Sequence, residues 1–436
     1  MDFPDRSAVE GLIEPQPLPT FAQVRYEPPA ERIEDPTAVA TAELADLDEL
    51  SSLETGATVA VGVGSRGIHA IDSIVESVVS ELDERGFDPV VVPAMGSHGG
   101  ATPAGQREVL AALGMTEETL GAPIDARMDT HELDTVTVGE TSMAVHFSTA
   151  ALDADAILVV NRVKAHTNFT GPIESGLSKM TVVGLGKQHG AKSFHSTAIK
   201  EGYVETLETA LETVRAVVPP IAGVALVENF HEEIAHVEAV SGASFVDREP
   251  ALLEMAYDEM PTLPFDEIDL LVVDELGKEI SGAGMDTNVI GRYRVLNAPD
   301  PERPDIKLIY ARGLTERTKG NGTGIGLADI TRRRAIDQLD LQKTYANALT
   351  SGSLAKIQLP VVCPDDEFSI RTALAALGGY DPETVRIVWI QNTQLLTEFR
   401  VSEPLVSELP ESARVQARET LAYEDGTAAF VSADSD

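Results

Sequence analysis

The stretch TVAVGVGSRGIHAIDSIVESVVSELDERGFDPVVVPAMG, residues 58–96, decides the fold. TVAVGVG (58–64) is a short apolar run without alternation, as expected of a strand buried on both faces. IDSIVESVVSELDERG (71–86) follows as a helical segment ending in Gly86. DPVVVPAMG (88–96) is then a second buried strand. Two strands joined by a helix of this length make a βαβ unit, so the pair is parallel.

The same pattern extends outward. A helix is expected over Pro103–Leu113, strands at AILVVN (156–161) and AGVALV (222–227), and a long amphipathic helix over Ser196–Val218. IDLLVVDEL (268–276) restarts the alternation after the acidic, proline-containing stretch 247–267, where the chain is expected to divide. The N-terminal stretch 1–30 is rich in proline and the C-terminal stretch 407–436 is acidic. Both read as arms. No internal repeat or low-complexity tract occurs. The expected fold class is α/β: two domains of mainly parallel sheets flanked by helices.

The chain has 436 residues, 71 acidic and 33 basic, for a formal charge of −38. Apolar content of 43 % is that of a folded protein, so the acidity does not signal disorder. Arginine outnumbers lysine 23 to 10. This balance suggests a halophilic protein from a salt-rich cytoplasm, where screening makes self-repulsion tolerable. No basic face offers itself to nucleic acid. A single cysteine, Cys363, excludes an internal disulfide and a cysteine-ligated cluster. The N-terminus MDFPDRSAVE lacks a signal region, and no apolar run approaches a membrane span. A cytoplasmic protein is expected, and a homo-oligomer is compatible with it.

One segment departs from this acidity. NRVKAHTNFTGPIESGLSKMTVVGLGKQHGAKSFH (161–195) holds one acid, Glu174, beside Arg162, Lys164, Lys179, Lys187, Lys192, His166, His189 and His195. In open parallel sheets chemistry collects beyond the carboxyl ends of strands. The loops GSRG (64–67), GSHGGATP (96–103), NRVKAHTNF (161–169) and ELGKEISGAGMDTN (275–288) are therefore expected at such an edge, with Arg66, His98 and His166 on them.

Three familiar motifs fail. The turn TVVGLGKQHGAKS has five residues between Gly184 and Gly190, and Ala191 precedes Lys192, so it is not a nucleotide-triphosphate loop. HEEIAH (231–236) spaces its histidines by five where a zinc protease needs four. Gly62, Gly64 and Gly67 match the dinucleotide spacing, but Arg66 would crowd a pyrophosphate there.

The histidines and Lys179 together resemble the nickel-pincer lactate racemases. Those enzymes carry a histidine, a glycine-containing loop, a lysine, and a further histidine at position +16 from the lysine. Here His166 opens HTNFTGPIESGLSK, Lys179 closes it, and His195 stands at the same +16 offset. GSHGG with His98 matches the family's Gly-x-His element, and GVGSRG with Arg66 matches its arginine loop in part.

The resemblance implies a racemase or epimerase of a 2-hydroxy acid, an isomerase. Residues 1–255 would carry cofactor and catalytic histidines, and residues 256–436 would close the substrate cleft between the domains. Lys179 would bind pyridinium-3,5-bisthiocarboxylic acid mononucleotide covalently, and His195 would ligate its nickel. Lys164, Lys187 and Lys192 would suit the anionic nucleotide. His98 and His166 would serve opposite faces of the substrate, and Arg66 its carboxylate. His189 competes with His195 as ligand but lacks the spacing. Two departures stand out. Val63 and Gly67 replace the Asp and Pro of the family's arginine loop. MDTNVIGRYR supplies Asp286 and Asn288 but then Gly291 and Arg294 where the lactate enzymes have Gln and Lys, which points to a substrate other than lactate contacting Asn288 and Arg294. The alternatives are a nicotinamide-dependent 2-hydroxy-acid dehydrogenase and a non-catalytic nucleotide- or cofactor-binding protein.

Overall fold

The computed structural model describes residues 3–65 and 67–433. The chain divides into two compact units: Ala30–His166 with Thr170–Met260 (the 30–260 unit), and the segment up to Pro29 with Thr167–Phe169 and everything from Pro261 (the C-terminal unit). The division falls at Met260/Pro261, not at 255/256, and the chain up to Pro29 joins the C-terminal unit. The stretch read as a boundary is instead mostly the helix Phe245–Glu259, which buries Phe245, Glu249, Leu252, Leu253 and Ala256 at helical spacing. Its acids and Pro250 masked that stripe.

Numbered along the chain, strand β1 (Thr20–Tyr26) belongs to the C-terminal unit. The 30–260 unit holds β2 (Thr58–Val63), β3 (Asp88–Pro93), β4 (Thr130–Val138), β5 (Thr141–Ser148), β6 (Ala156–Arg162), β7 (Ile221–Glu228) and β8 (Ile234–Ser241). Its main sheet has the order β3-β2-β6-β7-β8, parallel throughout except for β8. β4 and β5 form a separate hairpin. On one face Val59, Val61 and Val63 pack with Ile74, Val78 and Leu82 of the helix Ile71–Glu84. On the other, Ala60, Ile157 and Val159 pack with Leu207 and Leu211 of the helix Tyr203–Val217. Helices on both faces explain why these strands read as unbroken valine runs.

The chain steps from β2 out to β3, then returns to lay β6 on the other side of β2. Connections therefore reverse direction between β2 and β6, the place where open α/β sheets commonly bind ligands beyond the strands' carboxyl ends. The single helix expected over 196–218 is two, Lys187–Glu201 and Tyr203–Val217, broken at Gly202 with φ 102°. Glycine tolerates that conformation; other residues rarely do.

The C-terminal unit adds β9 (Glu267–Val273), β10 (Asp305–Ala311), β11 (Ile330–Arg332), β12 (Val361–Cys363), β13 (Ile387–Ile390), β14 (Glu398–Ser402), β15 (Ala413–Glu424) and β16 (Thr427–Ser432). Their order is β12-β11-β10-β9-β13-β14-β1-β15-β16. The members from β12 to β13 are parallel, and the rest antiparallel. So neither terminus is an arm. β1 lies inside the sheet with Phe21, Ala22 and Val24 buried, and the acidic tail forms the hairpin β15–β16. Leu421 is the one fully buried position of β15, so its pattern is faint in sequence. The fold is mixed α/β with mostly parallel sheets flanked by helices. Among the described residues no helix is long and apolar enough to cross a membrane.

Candidate active site

In the 30–260 unit the loops after β2, β3 and β6, with the helical run that follows, carry the residues singled out in the sequence. At the end of β6, Asn161 donates through Nδ2 to the carbonyls of Arg162 (3.1 Å) and Gly176 (3.2 Å), pinning the loop's far end to the strand. Lys164 and Ser175 pair through their backbones in both directions, at 2.9 and 3.3 Å, which draws the segment between them into a closed loop. Within it the carboxylate of Glu174, 2 % exposed, accepts from the amides of His166 (2.5 Å) and Gly171 (3.0 Å) and from the Tyr257 hydroxyl (2.9 Å). This answers why a basic stretch keeps one acid: Glu174 clamps the backbone of His166. Burial raises its pKa, while its donors and the Lys179 charge pull the other way.

His166 is itself buried, 7 % exposed, with its ring 6.1 Å from that of Tyr203. Tyr203 in turn lies 6.3 Å from Phe194, the neighbour of His195. An aromatic chain thus links the His166 loop to the helix that carries His195.

Lys179 ends a short helical turn, Leu177–Lys179. The turn begins on Glu249, whose carboxylate accepts from the Ser178 amide at 3.1 Å. A Cβ at Gly176 would stand 2.1 Å from that carboxylate oxygen, so glycine lets the two approach. Burial pushes Glu249 up to about 7. Lys179 is half-buried, its Nζ 3.4 Å from Ser175 Oγ. The chain then widens into a π turn over Met180–Gly184, closed by the Leu185 amide on the Met180 carbonyl at 3.0 Å. Such turns are rare and recur at functional sites.

The Gly96 amide donates to the Gly184 carbonyl at 3.0 Å, which docks the His98 loop on the π turn. A Cβ at Gly184 would lie 2.5 Å from the Ala94 carbonyl oxygen, so this docking requires glycine. His98 is exposed, and its Nδ1 is in close contact with Ser65 Oγ from the loop after β2. Beneath it Gln106 donates through Nε2 to the carbonyls of Gly96 (3.0 Å) and His98 (3.4 Å).

His195 lies on the helix Lys187–Glu201. Solvent reaches its ring, yet the chain crowded around it and the nearby Lys179 ammonium push its pKa down to about 4. Both the crowding and the ammonium favour a neutral imidazole.

The Glu174 clamp, the Tyr203 and Phe194 ring contacts and the Gly96–Gly184 bond thus join the segments that carry His166, His195, Lys179 and His98. Lys187 has a different task from the one expected. It has no exposed surface, and its Nζ donates to the Pro93 carbonyl (2.7 Å) and Gln106 Oε1 (3.2 Å), so it holds chain rather than a nucleotide. Burial lowers its pKa to about 8, with Asp125 opposing. Lys192 is exposed and Lys164 half-buried. His189 meets Thr130 (3.2 Å) and the His146 ring (5.6 Å) on the β4–β5 hairpin. Arg66 lies outside the described residues.

Asn288 and Arg294 belong to the C-terminal unit. Asn288 is buried and accepts from the Tyr293 hydroxyl at 2.8 Å. The Arg294 guanidinium bonds the Gly326 carbonyl (2.6 Å) and Asp329 (3.2 Å). Among the described residues no three His, Cys, Asp or Glu side chains are grouped to hold a metal. Sequence reasoning missed the support of Ser65, Gln106, Tyr203 and Glu249. Ser65 had a signal, as the one hydroxyl in GSRG. Gln106 had none.

The fold is that of an α/β protein whose loops after β2, β3 and β6 lie at the switch point of a parallel sheet. Residues 66–274 match a family described as a domain of unknown function, DUF362. No curated protein matches the chain in sequence. Among solved structures, a protein from Thermotoga maritima is similar over 83 % of this chain and 96 % of its own, with 13 % identity and a TM-score of 0.51. The lactate racemase apoprotein from Thermoanaerobacterium thermosaccharolyticum is similar over 82 % and 86 %, with 12 % identity and a TM-score of 0.44. The first likeness is one of fold.

Proposed function

We propose that this protein is an isomerase that interconverts the two hands of a 2-hydroxy acid, and that its crevice takes a nickel-pincer nucleotide. One observation carries the reading. Two imidazoles are held on separate loops after β3 and β6 of one parallel sheet, His98 against Ser65 and His166 on the Glu174 clamp, and the second loop leads into the turn that ends in Lys179.

The residues suit the group. Lys179 is half-buried and able to form a covalent link, and His195 is neutral and open to solvent, so a ring nitrogen can serve a metal. The chain's one cysteine, Cys363, lies in the other unit, so soft sulfur donors would come with the nucleotide. When bound, the group supplies the acceptor for a hydride from the substrate's Cα.

The chain's own work is with protons. Ser65 fixes the His98 ring through Nδ1, and Nε2 is the nitrogen that would take the hydroxyl proton as hydride departs. A 2-keto acid is planar, so a base on each side of it would give access to both hands of the carbon. His166, held from a second loop, would serve the other side. Arg66 is the candidate for the carboxylate.

The test is intact mass and metal analysis of protein from its native host, followed by chiral chromatography with each enantiomer of several 2-hydroxy acids. A covalent adduct with nickel and interconversion of enantiomers is expected. Full adduct and nickel with no interconversion of any would overturn the isomerase, and an unmodified chain would overturn the cofactor.

A further inference from the structure

A second acid-poor stretch lies in the C-terminal unit. From Leu341 to Pro364 the sequence contains neither aspartate nor glutamate, in a chain where acids average about one residue in six. This stretch carries an apolar surface. Leu341, Tyr345 and Leu349 recur at every fourth position on one side of the helix Leu341–Ser351, and are 40 %, 48 % and 75 % exposed. Leu354 and Leu359 on the chain that follows are also exposed, as is Val361 on β12, the end strand of its sheet. The acids that flank the stretch are each paired: Asp340 with Lys343 at 3.1 Å and Asp365 with Arg6 at 3.0 Å.

We propose that this face is the contact between two copies of the chain, related by a twofold axis that sets the helix Leu341–Ser351 against its own counterpart. Charge selects the occupant. Two chains of −38 repel wherever their carboxylates meet, and the stretch Leu341–Pro364 contributes none of its own. A twofold contact would pair the apolar stripe with itself and bring no acid of this stretch against another. Contiguous exposed apolar surface of this kind marks an interaction site in soluble proteins.

Light scattering and sedimentation of the full chain at salt from 0.1 to 3 M provide the test. A species of twice 46.5 kDa is expected, strengthening as salt screens the remaining charge. Leu349→Glu and, independently, Tyr345→Glu place acid at the exposed stripe, and each should weaken association at least tenfold with an unchanged circular dichroism spectrum. A short amine-reactive linker should join Lys343 of one copy to Lys343 of the other. Wild-type monomer at every salt concentration overturns the proposal. So does a dimer indifferent to both substitutions, or assembly beyond two copies.

Discussion

Lys187 and Gln106 form a buried hydrogen bond of 3.2 Å that ties the helix bearing His195 to the loop bearing His98. Gln106 spends its amide nitrogen on the carbonyls of Gly96 and His98, and its oxygen on the lysine. Lys187 also donates to Pro93, where β3 ends. The His98 loop and the His195 helix are therefore joined through one ammonium that never meets solvent.

Replacing Lys187 by Met keeps the volume and removes the donor. Pro93 O and Gln106 Oε1 then lose a buried partner, at about 1–3 kcal/mol for each unsatisfied group, part of which is offset by relief of a desolvated charge. We expect a modest fall in Tm and faster amide exchange confined to residues 94–106. Unchanged exchange there would show that the bridge does not hold the loop.

Much of this arrangement is legible in sequence, for identifiable reasons. Strands buried on both faces read as valine runs, so β2, β3, β6, β7 and β9 stand close to where the sequence places them. The lysine and histidines stand out because a −38 chain spares so few cations. What stays hidden is supplied by tertiary contact. Gln106 looks like any helix glutamine until its partners are known, and Lys187 reads as a ligand-facing cation because burial is invisible in one dimension. The N-terminal strand hides behind prolines, and the 245–259 helix behind its acids. The acid-free stretch 341–364 is visible in composition, yet it contains no histidine to draw notice.

Glu174→Ala should free the His166 loop. The amides of His166 and Gly171 and the Tyr257 hydroxyl lose their acceptor inside the fold, again at about 1–3 kcal/mol each, less whatever water recovers. Lower Tm is expected, with broadened His166 ring signals in NMR and His98 signals unaffected. Equal broadening of both would mean general loosening, not the release of one clamp.

Gly184→Ala tests the docking of the π turn. Its Cβ would come within 2.5 Å of the Ala94 carbonyl oxygen, which sits on backbone and cannot swing away. Overpacking of this kind costs about 1–3 kcal/mol. Gly11→Ala, with nothing within 4 Å, is the matched control and should leave Tm unchanged. Equal stability of the two variants would contradict the contact.

Salt should stabilise the whole chain. With −38 formal charge, repulsion reaches about 30 Å at 0.01 M and about 3 Å at 1 M. Tm should climb steeply over that range. A flat response would remove the case for a salt-adapted protein.

Glu249 gives stability a pH dependence of definite sign. Its ordinary pKa is 4.5, and burial beside Ser178 raises it to about 7 in the fold. Between those values the folded chain holds a proton that the unfolded chain has released, so stability falls as pH rises from about 4.5 to about 7 and levels off above. The shift is worth on the order of 3 kcal/mol. Glu249→Gln keeps an acceptor for the Ser178 amide and has nothing to ionise. The difference in stability between variant and wild type, measured in urea at fixed molar salt, should therefore favour the variant by a growing margin from pH 5 to pH 8. Taking the difference cancels the contribution of the other carboxylates. If the margin is the same at both pH values, Glu249 is already ionised in the fold, and the start of the Lys179 turn is held by a carboxylate rather than a neutral acid.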